Sequence, residues 1–189
     1  EEENLLADNV TGTSDLNPVA EQIALIKEIN PSVKKIGFLY NASENNSKIQ
    51  CELAKDKCTK LGITLVEFTA SLSSEISTVV EAIPADVDAV YIPTDNLMAE
   101  NIKLICSILH ARQIPVIGGE SGMCDDEEAV ATLGIDYFEL GKQTGEMAVA
   151  ILSGEKAIKD IKFEHYNKLS TFFINEKNAL AAGLSQSLI

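Results

Sequence analysis

Short β-branched or aromatic runs alternate along this chain with polar turns and helical patterns. The runs are Lys35–Tyr40, Thr64–Thr69, Ala89–Ile92, Pro115–Ile117 and Ala129–Ile135. The run that ends at Ile92 is apolar almost throughout, as expected for a strand that is buried on both faces. This alternation of strands and helices predicts an α/β fold with a doubly wound, parallel, Rossmann-like sheet.

Amphipathic helical patterns lie between the predicted strands. Asn17-Pro18 begins a helix that runs to about Ile29, and Ser43 is predicted to cap the next one. The inner stripe of that second helix is predicted to be Ile49, Leu53, Ala54, Cys58 and Leu61. Later patterns predict one helix from Asn96 to about Arg112 and another over Tyr137–Leu152.

Parallel α/β sheets bind ligands just beyond the carboxyl ends of their strands. Polar side chains occupy these positions and the loops that follow them. The predicted ligand-binding residues are Tyr40, Asn41, Asn46, Ser47, Thr94, Asp95, Glu120, Asp136 and Tyr137. Because parallel strands end at the same edge, we expect Tyr40, Asp95, Glu120 and Asp136 along one rim. These groups form hydrogen bonds and carry charge, which indicates a capture site for a small polar molecule.

Asp95 directly follows the buried strand and a proline, where it opens the next helix. Its carboxylate is placed to pair with a ligand ammonium in a desolvated cleft. Helix capping by Thr94 or Asp95 is the alternative, because either side chain accepts hydrogen bonds from unpaired helix N–H groups. The two roles are compatible at the carboxyl end of a strand, and both stay open here.

The polar loop from Asn41 to Ser47 leads into a helix. A helix N-terminus offers N–H donors and a positive partial charge, so a ligand carboxylate is stabilised there, with side-chain donors from Asn46 and Ser47. The alternative is an asparagine-rich turn with an ordinary helix cap. An inward-pointing Glu44 opposes anion binding in this loop.

Two later loops carry the remaining candidates. Gly118–Gly122 lacks the lysine and the glycine spacing of a phosphate-binding loop, so we interpret it as a mobile edge of the cleft, with Glu120 as a contact. Tyr137 follows Asp136 at a predicted hinge. Its ring either stacks on an apolar or aromatic ligand side chain or packs within the hinge, and both alternatives stay open.

Composition excludes several classes of function. The net charge of −14, from 29 acidic and 15 basic residues, repels nucleic acid and anionic membranes. Four cysteines without a CxxC pair, together with only two histidines, favour inert, partly buried thiols over a zinc site. The sequence shows no Gly-x-Ser-x-Gly elbow and no nucleophile with an adjacent base, so we expect no enzyme, no metal and no cofactor.

The start of the sequence suggests a chain that has been shortened. The sequence starts at Glu1 rather than at Met, which we interpret as processing, truncation or deliberate cutting. Residues 1–8 are acidic and aperiodic, which predicts a loose end. No apolar run approaches the roughly 20 residues that are needed to cross a bilayer.

Several ordered motifs resemble one known family. They are Asn9–Gly12, Leu39–Ser47, Ile92–Asn96, Ala131–Gly141 and Gln143–Met147. They are similar to recurring patterns of the ABC-transporter substrate-binding proteins of the tryptophan/tyrosine-binding-like type, which resemble type I periplasmic binding proteins with two Rossmann-like lobes. Family members carry a further segment before Asn9 that builds most of the first lobe. The resemblance therefore implies the C-terminal lobe, without most of the N-terminal one.

The resemblance also implies a division of the chain. Residues 1–15 are a tail and crossing segment, 16–136 the ligand-binding lobe, 137–156 a helix that packs with the missing lobe, and 157–189 a return to the ligand-binding lobe. Without that lobe, the apolar face of the 137–152 helix needs another partner, and a homodimer through this helix is one solution.

The function that the resemblance implies is solute capture for an ABC importer. The ligand is a small polar solute, with an amino acid and especially an aromatic one favoured, held in a cleft between two lobes. The partners are that solute and an ABC permease, and the location is extracytoplasmic, either as a cell-surface lipoprotein or in the periplasm. The alternative is a ligand-sensing or dimerising module of a signalling protein. We expect this chain alone to bind its ligand weakly or not at all.

Overall fold

The computed structural model describes residues 9–124, 128–166 and 171–184. The strands are β1 (Thr13–Ser14), β2 (Lys35–Tyr40), β3 (Thr64–Thr69), β4 (Ala89–Ile92), β5 (Val116–Gly118), β6 (Ala131–Gly134), β7 (Glu164–His165) and β8 (Thr171–Ile174). The helices are α1 (Val19–Ile29), α2 (Asn45–Leu61), α3 (Ser73–Glu81), α4 (Asn96–Glu100), α5 (Ile102–Ala111), α6 (Tyr137–Leu152) and α7 (Glu176–Ala181). Short 3-10 turns cover Ser121–Cys124 and Ile158–Asp160.

Six strands form one sheet in the order β3-β2-β4-β5-β6-β8. The neighbouring pairs from β3 through β6 are parallel, with Ile36 opposite both Leu65 and Ala89, and Ile117 opposite Ala131. The chain builds outward from β2 to β3 and then returns to the other side of β2 for β4. This reversal creates a topological switch point between β2 and β4. The predicted doubly wound parallel sheet is confirmed.

Apolar side chains cover both faces of the sheet, because neighbouring residues of a strand point to opposite sides. The first layer, with α1 and α2, includes Ile23, Phe38, Ala54 and Tyr91. The second layer, with α3 and α5, includes Leu39, Ile76, Val90 and Ile105. Each fully buried large side chain contributes about 1.5–3 kcal/mol to folding relative to an exposed one. The two layers hold the strands in register, so the loops beyond the strand ends have a rigid base.

The structure corrects several predicted boundaries. β5 lies one residue later than predicted, and β6 is shorter than predicted at both ends. The helix predicted from Asn96 to about Arg112 is two helices, α4 and α5, which meet at Asn101. The backbone N–H of Asn101 donates to the carbonyl of Met98, and its side chain donates to the carbonyl of Leu97. This local bonding replaces the regular helical pattern and ends α4.

The face that α2 buries also differs from the prediction. Ile49 and Leu53 are 54% and 38% exposed, so their assignment to the inner stripe is wrong. The buried residues of α2 are Ser47, Gln50, Cys51, Ala54 and Cys58. Polar partners in the β4–α4 loop hold Ser47 and Gln50, and these bonds set the rotation of the helix. Ser43 does not cap α2, because the helix begins after Glu44.

The described chain divides into two units. The larger unit comprises Asn17–Gly134 and Phe172–Ile189, and the smaller comprises Glu1–Leu16 and Ile135–Thr171. In the smaller unit β1 and β7 form a parallel pair, and the hydroxyls of Thr13 and Thr144 lie 2.6 Å apart. The predicted loose end at 1–8 lies outside the described residues, as do 167–170 and 185–189 of the predicted return segment. The predicted assignment of segments to lobes stays a prediction.

No helix within the described ranges has both the length and the apolar character needed to cross a bilayer.

Candidate functional site

The loops after β2, β4 and β5 lie at one edge of the larger unit, because these strands are parallel. Direct contacts join them. The backbone N–H of Asn41 donates to Oδ2 of Asp95 at 2.8 Å, and the side-chain amide of Asn46 donates to the carbonyl of Thr94 at 2.9 Å. We call the segments 41–47, 93–96 and 119–120, which comprise loop residues and the first residues of α2 and α4, the rim. The rim brings together most of the residues that the sequence predicts as ligand contacts.

The side chain of Asp95 accepts three hydrogen bonds. It is only 2% exposed. Its Oδ2 accepts from the N–H of Asn41 and from the hydroxyl of Ser47 (2.7 Å), while Oδ1 accepts from the N–H of Met98 (3.1 Å) and caps α4. The capping alternative is therefore present in the structure. The same carboxylate ties the start of α2 to the end of β4, and contact with a ligand ammonium stays a prediction.

Three side-chain amides hold Thr94. Gln50 accepts from its N–H (3.2 Å) and donates to its carbonyl (3.3 Å), while Asn46 donates to the same carbonyl. Asn17 donates to the Thr94 hydroxyl at 3.0 Å. Asn17 and Gln50 are buried, whereas Thr94 is half-buried. Thr94 is thus presented at the rim on a fixed backbone.

Tyr40 ends β2, but its side chain points toward the α2 face of the sheet. Its hydroxyl donates to Glu67 on β3 at 2.7 Å, and Glu67 also pairs with Lys55 of α2 at 2.9 Å. Burial, followed by the hydrogen bond to Glu67, raises the pKa of Tyr40 to about 12. The Lys55 and Tyr40 hydrogen bonds lower the pKa of Glu67. The side chain of Tyr40 therefore stays a neutral phenol, and its bond to Glu67 links β2 to β3 below the rim.

The β5 loop reaches the rim through a very close backbone approach. A Cβ added to Gly119 lies 2.6 Å from the carbonyl carbon of Pro93 and 2.6 Å from the backbone nitrogen of Thr94. Only glycine leaves room for this approach. The next residue, Glu120, is half-buried, and its carbonyl accepts from the N–H of Met123 at 3.2 Å.

Asp136 and Tyr137 belong to the start of α6 in the smaller unit. Asp136 is the N-cap of that helix, and its Oδ1 accepts from the N–H groups of Phe138 (2.9 Å) and Glu139 (3.1 Å). Tyr137 is exposed. Ligand contact by these two residues stays a prediction.

Sequence reasoning missed Gln22, Gln50 and Asn17. Gln22 is fully buried on α1, where it donates to the carbonyls of Gly119 (2.9 Å) and Leu133 (2.8 Å) and accepts from the hydroxyl of Tyr91 (2.6 Å). A signal for it was present, because Gln22 follows Val19 by three residues and precedes Ile26 by four, on the apolar stripe of α1. A polar residue in such a stripe needs buried partners.

Two cavities lie away from the rim. One, of about 330 Å³ in the larger unit, is lined by Glu21, Ala24, Leu25, Glu28, Lys57, Leu133 and Phe172. The other, of about 240 Å³ in the smaller unit, is lined by Gln143, Glu146, Met147, Ala150, Lys156, Ile161 and Glu164. Neither cavity is lined by a predicted ligand contact.

Reactive groups are scarce in the part of the chain that the structure describes. No group of three or more His, Cys, Asp or Glu side chains within residues 9–124, 128–166 and 171–184 is placed to hold a metal ion. Cys51, Cys58 and Cys106 are buried free thiols, and burial raises the pKa of Cys51 to about 12 and of Cys58 to about 11. The prediction of unreactive thiols is supported, because a buried thiol with a raised pKa is a poor nucleophile.

His110 lies on α5 and is half-buried. Its Nε2 is buried without a hydrogen-bond partner among the described residues. Burial lowers the pKa of His110 to about 4. The imidazole is therefore neutral at pH 7. The rim thus consists of hydrogen-bonding side chains on a rigid base, an arrangement that is suited to binding.

Comparison with known proteins identifies the family. Residues 2–187 match the family model described as ABC transporter substrate binding protein. A tyrosine-binding protein of Clostridioides difficile (strain R20291) is 38% identical over 153 residues, which cover 81% of this chain and 44% of that protein.

Solved structures agree with this assignment. A conserved domain protein from Vibrio cholerae has a TM-score of 0.83 at 36% identity, covering 95% of this chain and 60% of that one. The ABC domain from Streptococcus pneumonia in complex with L-Trp has a TM-score of 0.82 at 34% identity, covering 94% and 60%. This chain thus spans 44% to 60% of the length of these relatives. It belongs to the family of ABC transporter substrate binding proteins.

Proposed function

We propose that this chain belongs to the solute-binding component of an ABC importer and that its rim binds an amino acid, with an aromatic one favoured. The observation that carries the proposal is the rim itself, where polar groups at the carboxyl ends of three parallel strands are held by buried amides and by Asp95. The tyrosine-binding and L-Trp-bound relatives support the choice of ligand. The partners are then the amino acid and an ABC permease.

The predicted site residues divide by exposure. We propose that Asn41, Asn46, Thr94 and Glu120 contact the ligand, since none of them is fully buried. Tyr40 and Ser47 are buried and support the contacting residues from behind. Asp95 is also buried and remains the proposed partner of the ligand ammonium. Asp136 and Tyr137 remain proposed contacts on the smaller unit.

The segment assignment and the location belong to the same proposal. Residues 16–136 form the ligand-binding lobe, 137–156 pack with the first lobe, and 157–189 return to the ligand-binding lobe. The complete protein works outside the cytoplasm, as a cell-surface lipoprotein or in the periplasm. In it, two lobes close around the ligand because the closed state makes more contacts with the ligand than the open state does.

Binding of L-tryptophan tests the proposed function. The chain contains no tryptophan, so indole fluorescence reports the ligand alone. As the chain is titrated into a fixed, low concentration of L-tryptophan, we expect a saturable rise in anisotropy with a Kd of about 0.1–1 mM. L-Tyrosine and L-phenylalanine should compete, whereas N-acetyl-L-tryptophan, which lacks the ammonium group, should not. Of the two outcomes expected for this chain alone, weak binding or none, the proposal requires weak binding, because the rim carries most of the predicted contacts. The absence of a saturable signal therefore contradicts the proposal.

A dimerising module is the second candidate function, and α6 favours it. Phe138, Val149 and Leu152 are 80%, 65% and 86% exposed. At 100° per residue these three positions fall within about 60° of one another, so they form one apolar stripe. An exposed apolar stripe of this kind is typical of an interaction surface. We propose that two copies of the chain pair through it.

Sedimentation velocity at increasing protein concentration checks the pairing. We expect a monomer–dimer equilibrium for the wild type, and a monomer at all the same concentrations after Phe138→Glu and Leu152→Glu are combined. Leu104→Glu, at an exposed apolar position on α5, is the control and should leave the equilibrium unchanged. A wild-type chain that stays monomeric at every concentration argues against the dimerising module.

A further inference from the structure

We infer that Gln22 is a positioning residue for the rim, and this inference rests on the proposed function. Its side chain lies on the buried face of α1, behind the sheet edge that carries the rim. It bonds to groups on or directly after three neighbouring strands, β4, β5 and β6. A single buried amide thus sets the spacing between the ends of β4, β5 and β6, and the proposed contacts Thr94 and Glu120 follow two of these strands.

Chemistry determines the orientation of this amide. The carbonyl oxygens of Gly119 and Leu133 only accept hydrogen bonds, so they require the two N–H groups of the Gln22 amide. The amide oxygen then faces the hydroxyl of Tyr91, which donates to it at 2.6 Å. Burial raises the pKa of Tyr91, so the hydroxyl keeps its proton for this bond. No other standard side chain reproduces this combination of one acceptor and two donors at the same length.

The bond to Gly119 connects Gln22 to the rim. Gly119 precedes Glu120, and its backbone lies directly against the backbone at Pro93 and Thr94. A shift of the Gly119 carbonyl therefore moves the loop that carries Glu120 and changes the contact of this loop with the backbone at Thr94. Without the amide of Gln22, the buried carbonyl of Gly119 and the part-buried carbonyl of Leu133 lose this donor, which favours a displaced loop that water can reach.

Gln22→Met tests this role, because methionine has a similar length but no donor or acceptor of comparable strength. We expect hydrogen exchange of the backbone amides over residues 118–124 to accelerate at least about tenfold more than exchange in β2. The affinity for L-tryptophan should fall by at least about tenfold. Tyr91→Phe keeps both N–H bonds of Gln22, so it should preserve protection of this loop.

Val80→Ala is the matched control, because it removes buried volume from the opposite layer and leaves the Gln22 bonds intact. It should lower stability while changing tryptophan affinity by less than about twofold. If Gln22→Met binds tryptophan as Val80→Ala does, or accelerates exchange uniformly, the inference is overturned. A wild-type chain that binds no amino acid refutes the proposed function instead, and the exchange measurement still decides whether Gln22 holds the loop.

Discussion

Replacing Gly119 with alanine is expected to lower the free energy of unfolding by about 3 kcal/mol or more. The new Cβ meets backbone atoms, at 2.6 Å from Pro93 and Thr94 and 2.9 Å from the carbonyl oxygen of Ile92. Backbone at the end of a buried strand cannot rotate away as a flexible side chain does. The β5 loop must therefore move outward and weaken its bond to Gln22.

Urea unfolding followed by far-UV circular dichroism measures this loss. Gly122→Ala is the matched control in the same loop, since a Cβ at Gly122 has no atom within 4 Å. It should change the free energy of unfolding by no more than about 0.5 kcal/mol. If the two variants are equally stable, the β5 loop does not lie as close to the backbone of Thr94 as the structure indicates.

Replacing Asp95 with alanine is expected to cost about 3 kcal/mol, the second large effect. The change removes the cap of α4 and leaves the hydroxyl of Ser47 and the N–H of Asn41 without their acceptor. Ser47 is fully buried, so its hydroxyl cannot turn to water without movement of α2. Asp95→Asn should lower the free energy of unfolding by less, because the side-chain oxygen of the asparagine still accepts from the N–H of Met98 and caps α4.

Asp136→Ala is the control for this prediction. Asp136 also caps a helix, but it is exposed, so water replaces the lost bonds and the cost should stay near 1 kcal/mol. Urea unfolding of both variants gives the comparison. Equal losses in the two variants would show that Asp95 is only a helix cap and does not join the loops of the rim.

Much of the sheet was predictable from local pattern. β2, β3 and β4 begin and end at the predicted residues, because β-branched, aromatic and other apolar residues dominate each run and turn residues flank it. The parallel order of β2 to β5 follows from the helices between these strands. The rim was predictable for the same reason, since polar residues that directly follow parallel strands share one edge.

The rotation of α2 was not predictable from periodicity. Its apolar residues include Ile49 and Leu53, which the pattern assigns to the core, yet the helix buries Ser47 and Gln50 instead. Those two side chains bond to Asp95 and Thr94, far away in sequence, and such long-range bonds leave no trace in a hydropathy pattern. For the same reason, the three partners of Gln22 could not be predicted from the sequence. Its position in an apolar stripe nevertheless showed that it was unusual.

Backbone amide chemical shifts, followed by NMR as L-tryptophan is added, show directly whether the rim is the binding site. We predict saturable shifts at Asn41, Asn46, Thr94 and Glu120, with little change at Leu25 and Phe172, which line the larger cavity. Saturable shifts confined to that cavity, or none at any ligand concentration, would contradict the claim that the rim is the binding site.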